Sequence, residues 1–418
     1  MQKNILVNLV GKFATHIKEI TNSKYLHIVY YVILTDLLLL LQEWYRTPIL
    51  LKESLKNINY LCPPYFTNCS IAYIFTDRAP YYSYQILIAF IATFIFASVF
   101  LFLKQNNKLA ILLLLIPVIF KFTILYLLNY DTVWNYNYLT LLLAIVLLFA
   151  KDKLFSIKVI VTFMYLASAF IKLYPSYLAG DFFNTLNNGL PLLPRVFNSL
   201  YACFVIVLLI LGPIILWSKN KLHRDVLFFI LMVFHLYSII FVGFRFPFLC
   251  IMLLYVFYLS EYDKFQFKRI YNNKLLLLLL SLMISLQALP YLINGNHRYT
   301  AEGEKYGYYI FNTNKQCITS LTITYKDGTK KYMKSSSTDP IQRCDPYRNW
   351  FILNKTCEVN QNINNIKWLY YVSLNGSYYH KVVDTEDICK LKYRPFRHNE
   401  WIKDDVIDFT IPVTKNSL

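Results

Sequence analysis

Over its first 294 residues the chain alternates long apolar runs with short polar stretches, and after that its character changes. A helix rises 1.5 Å per residue, so roughly 20 apolar residues are needed to cross the hydrocarbon core of a bilayer. Apolar runs near that length lie at 26–42, 84–104, 109–129, 136–150, 157–173, 200–217, 226–243, 246–260 and 274–291. They predict a multi-pass α-helical membrane bundle of about nine transmembrane helices. Two longer polar stretches interrupt it, at 43–83 and 174–198, the second rich in Gly, Pro and Asn. A polar leader with Lys3, Lys12, Lys18, Glu19 and Lys24 precedes the first run and no small-residue cleavage site follows it, so the first helix is expected to be retained. From residue 295 the period falls to two. CITSLTITYKDGTKKYMK alternates about Asp327-Gly328, and WLYYVSLNGSYYHKVV alternates about Asn375-Gly376. Such dipeptides between alternating runs signal hairpins. The chain thus reads as a membrane domain over 1–294 and a small extracytoplasmic β-rich domain over 295–418.

Composition agrees with a lipid-embedded chain, since 56% of the 418 residues are hydrophobic and 18% are aromatic. The net charge of +18 changes the picture only through its placement. Lys104 and Lys108, then Lys151 and Lys153, then Lys219, Lys221 and Arg224, then Lys264, Lys268, Arg269 and Lys274 fall in alternate loops. Basic loops are held in the cytoplasm, which puts the N-terminus inside and the C-terminal domain in a periplasm or secretory lumen. This is loop charge beside a lipid bilayer, and no nucleic acid partner is expected from it. Of the eight cysteines, Cys203 and Cys250 fall in spans, while Cys62, Cys69, Cys317, Cys344, Cys357 and Cys389 fall on the side where disulfides persist. Their pairing stays open, with a bond inside CPPYFTNC and one from that loop to the tail both compatible. The triplets at Asn68, Asn354 and Asn375 fit glycosylation on the same side, a weak signal in so asparagine-rich a chain.

Ionisable groups inside spans are costly and mark functional candidates. Here they are Asp36, Lys121, Lys172 and His235, with Glu43 and Arg245 near span ends. Lys172, in AFIKLYPSYLAG, has two readings: its ammonium snorkels to the interface, or burial favours a neutral amine that acts as a general base. His235, in VFHLYSIIFVG, reads either as a hydrogen-bonded core histidine or as a catalytic one. Lys121 is expected to form a structural ion pair with Asp36. A base in apolar surroundings suits a lipophilic substrate such as a quinone better than a sugar or nucleotide. No phosphate loop and no CxxC or HExxH spacing occurs, so no metal is expected. A transporter reading has Asp36, Lys121 and Lys172 for a proton path but no repeat symmetry.

AFIKLYPSYLAG resembles the vitamin K-dependent gamma-glutamyl carboxylase family, which carries a lysine-leucine pair, an aromatic and a glycine at this spacing. VFHLYSIIFVGFRFPFLC is similar to the family segment in which a histidine precedes a glycine and a Phe-Pro step. Leu216-Trp217 before a basic loop fits the wider HTTM membrane-domain superfamily. SLNGSYYHKVVDTEDICKLKYRPFRHNEW resembles the segment that follows the membrane domain.

The resemblance implies a carbon-carbon lyase and quinone epoxidase that uses reduced vitamin K or another hydroquinone, with O2 and CO2 as co-substrates and no metal. An enzyme amine deprotonates the hydroquinone, oxygenation yields a far stronger base, and the γ carbon of a glutamate in an exported peptide or protein is carboxylated. It implies Lys172 as that amine, His235 as the histidine of the later helix, and Trp134, Asn135, Tyr177, Phe246 and Pro247 at the quinone. Tyr136, in WNYNYL, stands where the family has a histidine that assists carboxylation. Ile171 replaces the first lysine of a family pair, Tyr177 replaces a usual tryptophan, and the chain is shorter than animal members. A tyrosine does not protonate near pH 7, which leaves quinone oxygenation better supported than carboxylation. The alternative is a non-carboxylating HTTM membrane protein acting in maturation or export of a secreted peptide.

Overall fold

The computed structural model describes residues 18–20, 22–55, 64, 80–123, 135–186, 189–260, 262–293, 296–337 and 344–403. It is mostly helical. The main helices are α1 (Lys24–Leu55), α2 (Pro80–Leu103), α3 (Asn107–Thr123), α4 (Asn135–Phe149), α5 (Lys153–Phe170), α6 (Asn198–Ile215), α7 (Lys221–Val242), α8 (Arg245–Leu259) and α9 (Lys274–Leu292). Among the described residues four helices are long and apolar enough to cross a membrane: α5, α6 with the turn before it (Arg195–Ile215), α7 and α9.

The nine crossings expected from hydropathy are therefore not all met. α4 and α8 have 15 residues each, which at 1.5 Å per residue is about 22 Å against a core of about 30 Å. Apolar runs do not show where hydrogen bonding stops, and α8 ends where Ser260 turns extended. α1 departs the other way, running on to Leu55 through residues expected to open the outer loop.

α5 is the axis of the bundle. Its spanning window is 78% buried, against 22% for α9, and it packs on α4 and α6 while α1 packs on α2, α4 and α8. Lys153, expected in a cytoplasmic loop, instead opens α5 with its side chain fully buried, giving Nζ to Ala150 O at 2.6 Å and to Glu19 at 3.1 Å. Asp36 gains a partner from another helix. Its carboxylate, 1% exposed, accepts from Arg245 Nη2 at 2.9 Å, because α8 lies along α1. The side chain of Lys121, the partner expected from the sequence, lies outside the described residues.

The C-terminal part forms a small antiparallel sheet of β1 (Lys315–Tyr325), β2 (Lys330–Ser337), β3 (Ile363–Leu374) and β4 (His380–Thr385), in the order β2-β1-β3-β4. Both expected hairpins are present. Asn375 and Gly376 take φ of +50° and +73°, the pair of positive values that a two-residue type I′ turn requires. Trp368, Tyr370 and Val372, on one face of β3, are fully buried, and α10 (Pro346–Val359) packs on that strand. Asp345 caps α10 by accepting from Tyr347 N at 2.9 Å.

Two disulfides staple this part, Cys317–Cys344 and Cys357–Cys389. Cys62 and Cys69 lie outside the described residues. The first bond closes a separation of 27 residues, so replacing both of its cysteines with serine is expected to cost about 3 kcal/mol through the freer unfolded chain. Limited proteolysis of the double variant, with cleavage mapped to 315–403, reads that loss.

Hydrogen bonds tie the sheet and its approach to the bundle. Tyr138 Oη donates to Lys305 O at 2.6 Å, and Asn314 Nδ2 donates to Phe182 O at 3.1 Å. Asn375 Nδ2 donates to Tyr174 Oη at 2.9 Å, and that hydroxyl in turn donates to Asn312 O. These contacts lay the segment between α9 and β1 across the end of α5.

Candidate functional site

α5 stops at Phe170, short of residue 173, where the apolar run ends. The reason is local: Pro175 excludes helical backbone at the residue before it, and Tyr174 is extended at φ −148°, ψ 155°. The chain then folds back through the short helices Pro175–Leu178 and Asp181–Asn184. Between them Gly180 has φ +84°, and a Cβ there would sit 2.6 Å from the Asn198 carbonyl carbon, so only glycine lets this turn meet the start of α6. Lys172 lies in the turn just past the spanning helix, and the fold-back encloses it.

Its side chain is 4% exposed, so it does not snorkel. Nζ meets Ser168 O at 3.0 Å, Ser168 Oγ at 2.9 Å and Ile310 O at 2.8 Å. Three partners satisfy the ammonium as three acceptors. They equally satisfy the neutral amine, which gives two protons to the carbonyls and accepts the Ser168 hydroxyl proton. Only a hydroxyl rotation separates the two states. Burial lowers this amine from the usual lysine value to about 7.

Lys172 borders a partly open cavity between α5, α6, α7 and α8, with about 600 Å³ of empty space that includes its open mouth. His235, 4% exposed, lies on its wall with Nε2 2.6 Å from Tyr165 Oη. The Cys250 thiol lies beside the same hydroxyl. Nδ1 of His235 makes no hydrogen bond among the described residues, so one ring nitrogen is fixed and the other is left for a ligand. His235 is thus hydrogen-bonded, as its core reading has it, and lies on the cavity wall with Lys172.

Aromatic rings supply most of the remaining wall. Tyr177 is 1% exposed, with its ring centroid 6.0 Å from Lys172 Nζ. Phe246 and Pro247 open α8 and face the same space, and Ile310 with Phe311 covers it from the segment leading to the sheet. Phe311 has φ +51°, an unfavourable backbone state for a bulky residue, and it is held there by the Tyr174 hydroxyl on the next carbonyl. None of the lining residues is acidic.

Five of the residues expected at the site thus share one cavity: Lys172, His235, Tyr177, Phe246 and Pro247. Trp134 lies outside the described residues. Asn135 and Tyr136 open α4, and their side chains are likewise outside the described residues. Sequence reading missed Tyr165, Ser168, Tyr201, Cys250, Ile310 and Phe311. Three of these carried a usable signal, because Ser168 and Tyr165 lie four and seven positions before Lys172, and Cys250 four after Phe246, each on one helical face. Neither a family model, nor a curated protein, nor a solved structure matches the chain.

Proposed function

We propose that this is an integral-membrane enzyme of the vitamin K-dependent gamma-glutamyl carboxylase type, oxidising a hydroquinone in the cavity beside Lys172 and carboxylating glutamate in an exported peptide or protein. The observation that carries the reading is a buried amine, without an acidic neighbour on the cavity wall, at the edge of a partly open aromatic cavity. The wall is apolar with a few fixed polar atoms, which fits a lipophilic aromatic diol better than a charged metabolite.

Tyr177, Phe246, Pro247 and Phe311 would hold the ring. Lys172 Nζ would take a hydroxyl proton, and its bonds to Ser168 and Ile310 O keep the amine in place in both protonation states. His235, set by Tyr165, would offer Nδ1 to the same ligand. The covering segment and the rings would have to limit water at the ligand, which a carbanion at a glutamate γ carbon requires. A bound hydroquinone, with O2, supplies the oxidising power and the strong base that no side chain provides. A cytoplasmic N-terminus and an extracytoplasmic sheet domain belong to this proposal.

Purified protein in detergent, given reduced naphthoquinone, O2, labelled CO2 and a glutamate-containing peptide, is expected to form labelled peptide and quinone epoxide together. Epoxide without label would favour a quinone oxygenase whose second half-reaction is lost with Tyr136 at the family's histidine position. Neither product, across several quinones and peptides, would shift the reading to the non-carboxylating membrane protein of peptide maturation.

A further inference from the structure

Tyr201, on α6, lines the cavity. Its hydroxyl is enclosed and has no hydrogen-bond partner among the described residues. A phenol hydroxyl withdrawn from water without a partner is costly, and folded proteins seldom leave one so. The ring is held by edge contacts with Phe183, centroids 5.0 Å apart, and with Tyr237, centroids 5.8 Å apart. The Tyr237 hydroxyl is committed to Pro191 O. Tyr201 therefore cannot swing to a protein acceptor without unpacking its neighbours.

Several other polar groups on this wall are engaged, Lys172 and Ser168 with each other, Tyr165 with His235, and Ser238 Oγ with the His235 carbonyl, which leaves His235 Nδ1 and the Tyr177 and Tyr201 hydroxyls without a hydrogen bond among the described residues. A donor left idle on the wall of an aromatic cavity is a place for an oxygen of the ligand. We infer that Tyr201 is a specificity-determining residue, donating its hydroxyl proton to the second oxygen of a ring ligand whose first oxygen faces Lys172. The inference rests on the quinone reading above and deepens it, since it selects rings with two oxygens over rings with one.

The test is equilibrium binding of 1,4-naphthoquinone and of 1-naphthol to the full chain in detergent, for the unsubstituted protein and for Tyr201→Phe. The variant removes one oxygen and keeps the ring. The expected result is about a tenfold weaker affinity for the quinone, the size of one hydrogen bond, with naphthol binding changed less than about twofold. Retained naphthol binding also shows that the cavity is intact. Equal losses for both ligands, or no loss for either, would overturn the role of Tyr201 while leaving the quinone site standing. If the unsubstituted protein bound neither ring, the quinone reading would fail and the role of Tyr201 with it.

Discussion

Replacing Lys172 with methionine is expected to lower hydroquinone oxidation by about 10² to 10⁴-fold, the range that a positioned general base contributes. Methionine keeps a stem of similar length in the same apolar place. It strands no carboxylate, because no acidic side chain borders the cavity. What is lost is the Nζ bond to Ile310 O and the pair with Ser168, whose hydroxyl can turn back to the carbonyl four residues earlier. The variant should therefore remain folded. The pH profile gives a second readout with a definite sign. Burial places this amine at about 7, and the base is its neutral form, so the rate should rise with pH, reaching half its plateau near that value. Lys172→Arg should be as inactive as the methionine variant, since a guanidinium does not deprotonate in a protein. Epoxide formation by the purified proteins across this range checks both statements, and a wild-type rate flat through pH 7 would remove Lys172 as the base.

How much of this was legible beforehand differs by element. Both hairpins were, because Asp327-Gly328 and Asn375-Gly376 carry their turn geometry in two residues and the flanking alternation fixes which face is buried. The apolar runs located helices correctly but misjudged their ends. Lys153 is the clearest case, reading as loop charge until Glu19 and the Ala150 carbonyl are brought to it by folding. Lys172 was singled out for its charge at the end of an apolar run and by the family resemblance of its segment, but its enclosure depends on three things no local window holds: the Pro175 stop, the Gly180 contact with α6, and a carbonyl 138 positions away at Ile310. Tyr201 gave no signal, because a tyrosine among Leu, Ile and Val on a helix is ordinary until its hydroxyl proves to have no partner among the described residues. The cysteine partners Cys317–Cys344 and Cys357–Cys389 likewise required the sheet and α10 to be in place.

The largest loss of stability is expected from Asp36→Asn. Asp36 and Arg245 are 209 positions apart, and their side chains are 1% and 12% exposed. Two Arg245 nitrogens reach the same carboxylate oxygen, Nη2 at 2.9 Å and Nε at 3.3 Å. The pair joins the middle of α1 to the first residue of α8, the helix whose next residues, Phe246 and Pro247, line the cavity. Asparagine keeps the shape and removes the charge, leaving a largely buried guanidinium without that carboxylate. Breaking a buried pair from one side costs about 3–5 kcal/mol. Removing both charges is a different operation, because the desolvation cost of the cation goes with it. The double variant Asp36→Asn with Arg245→Met is therefore expected to be more stable than Asp36→Asn alone. Thermal inactivation of all three in one detergent, followed by retention of quinone binding, separates the outcomes. A double variant no better than the single would mean that the two side chains act independently, and that the α1–α8 contact is held by apolar packing instead.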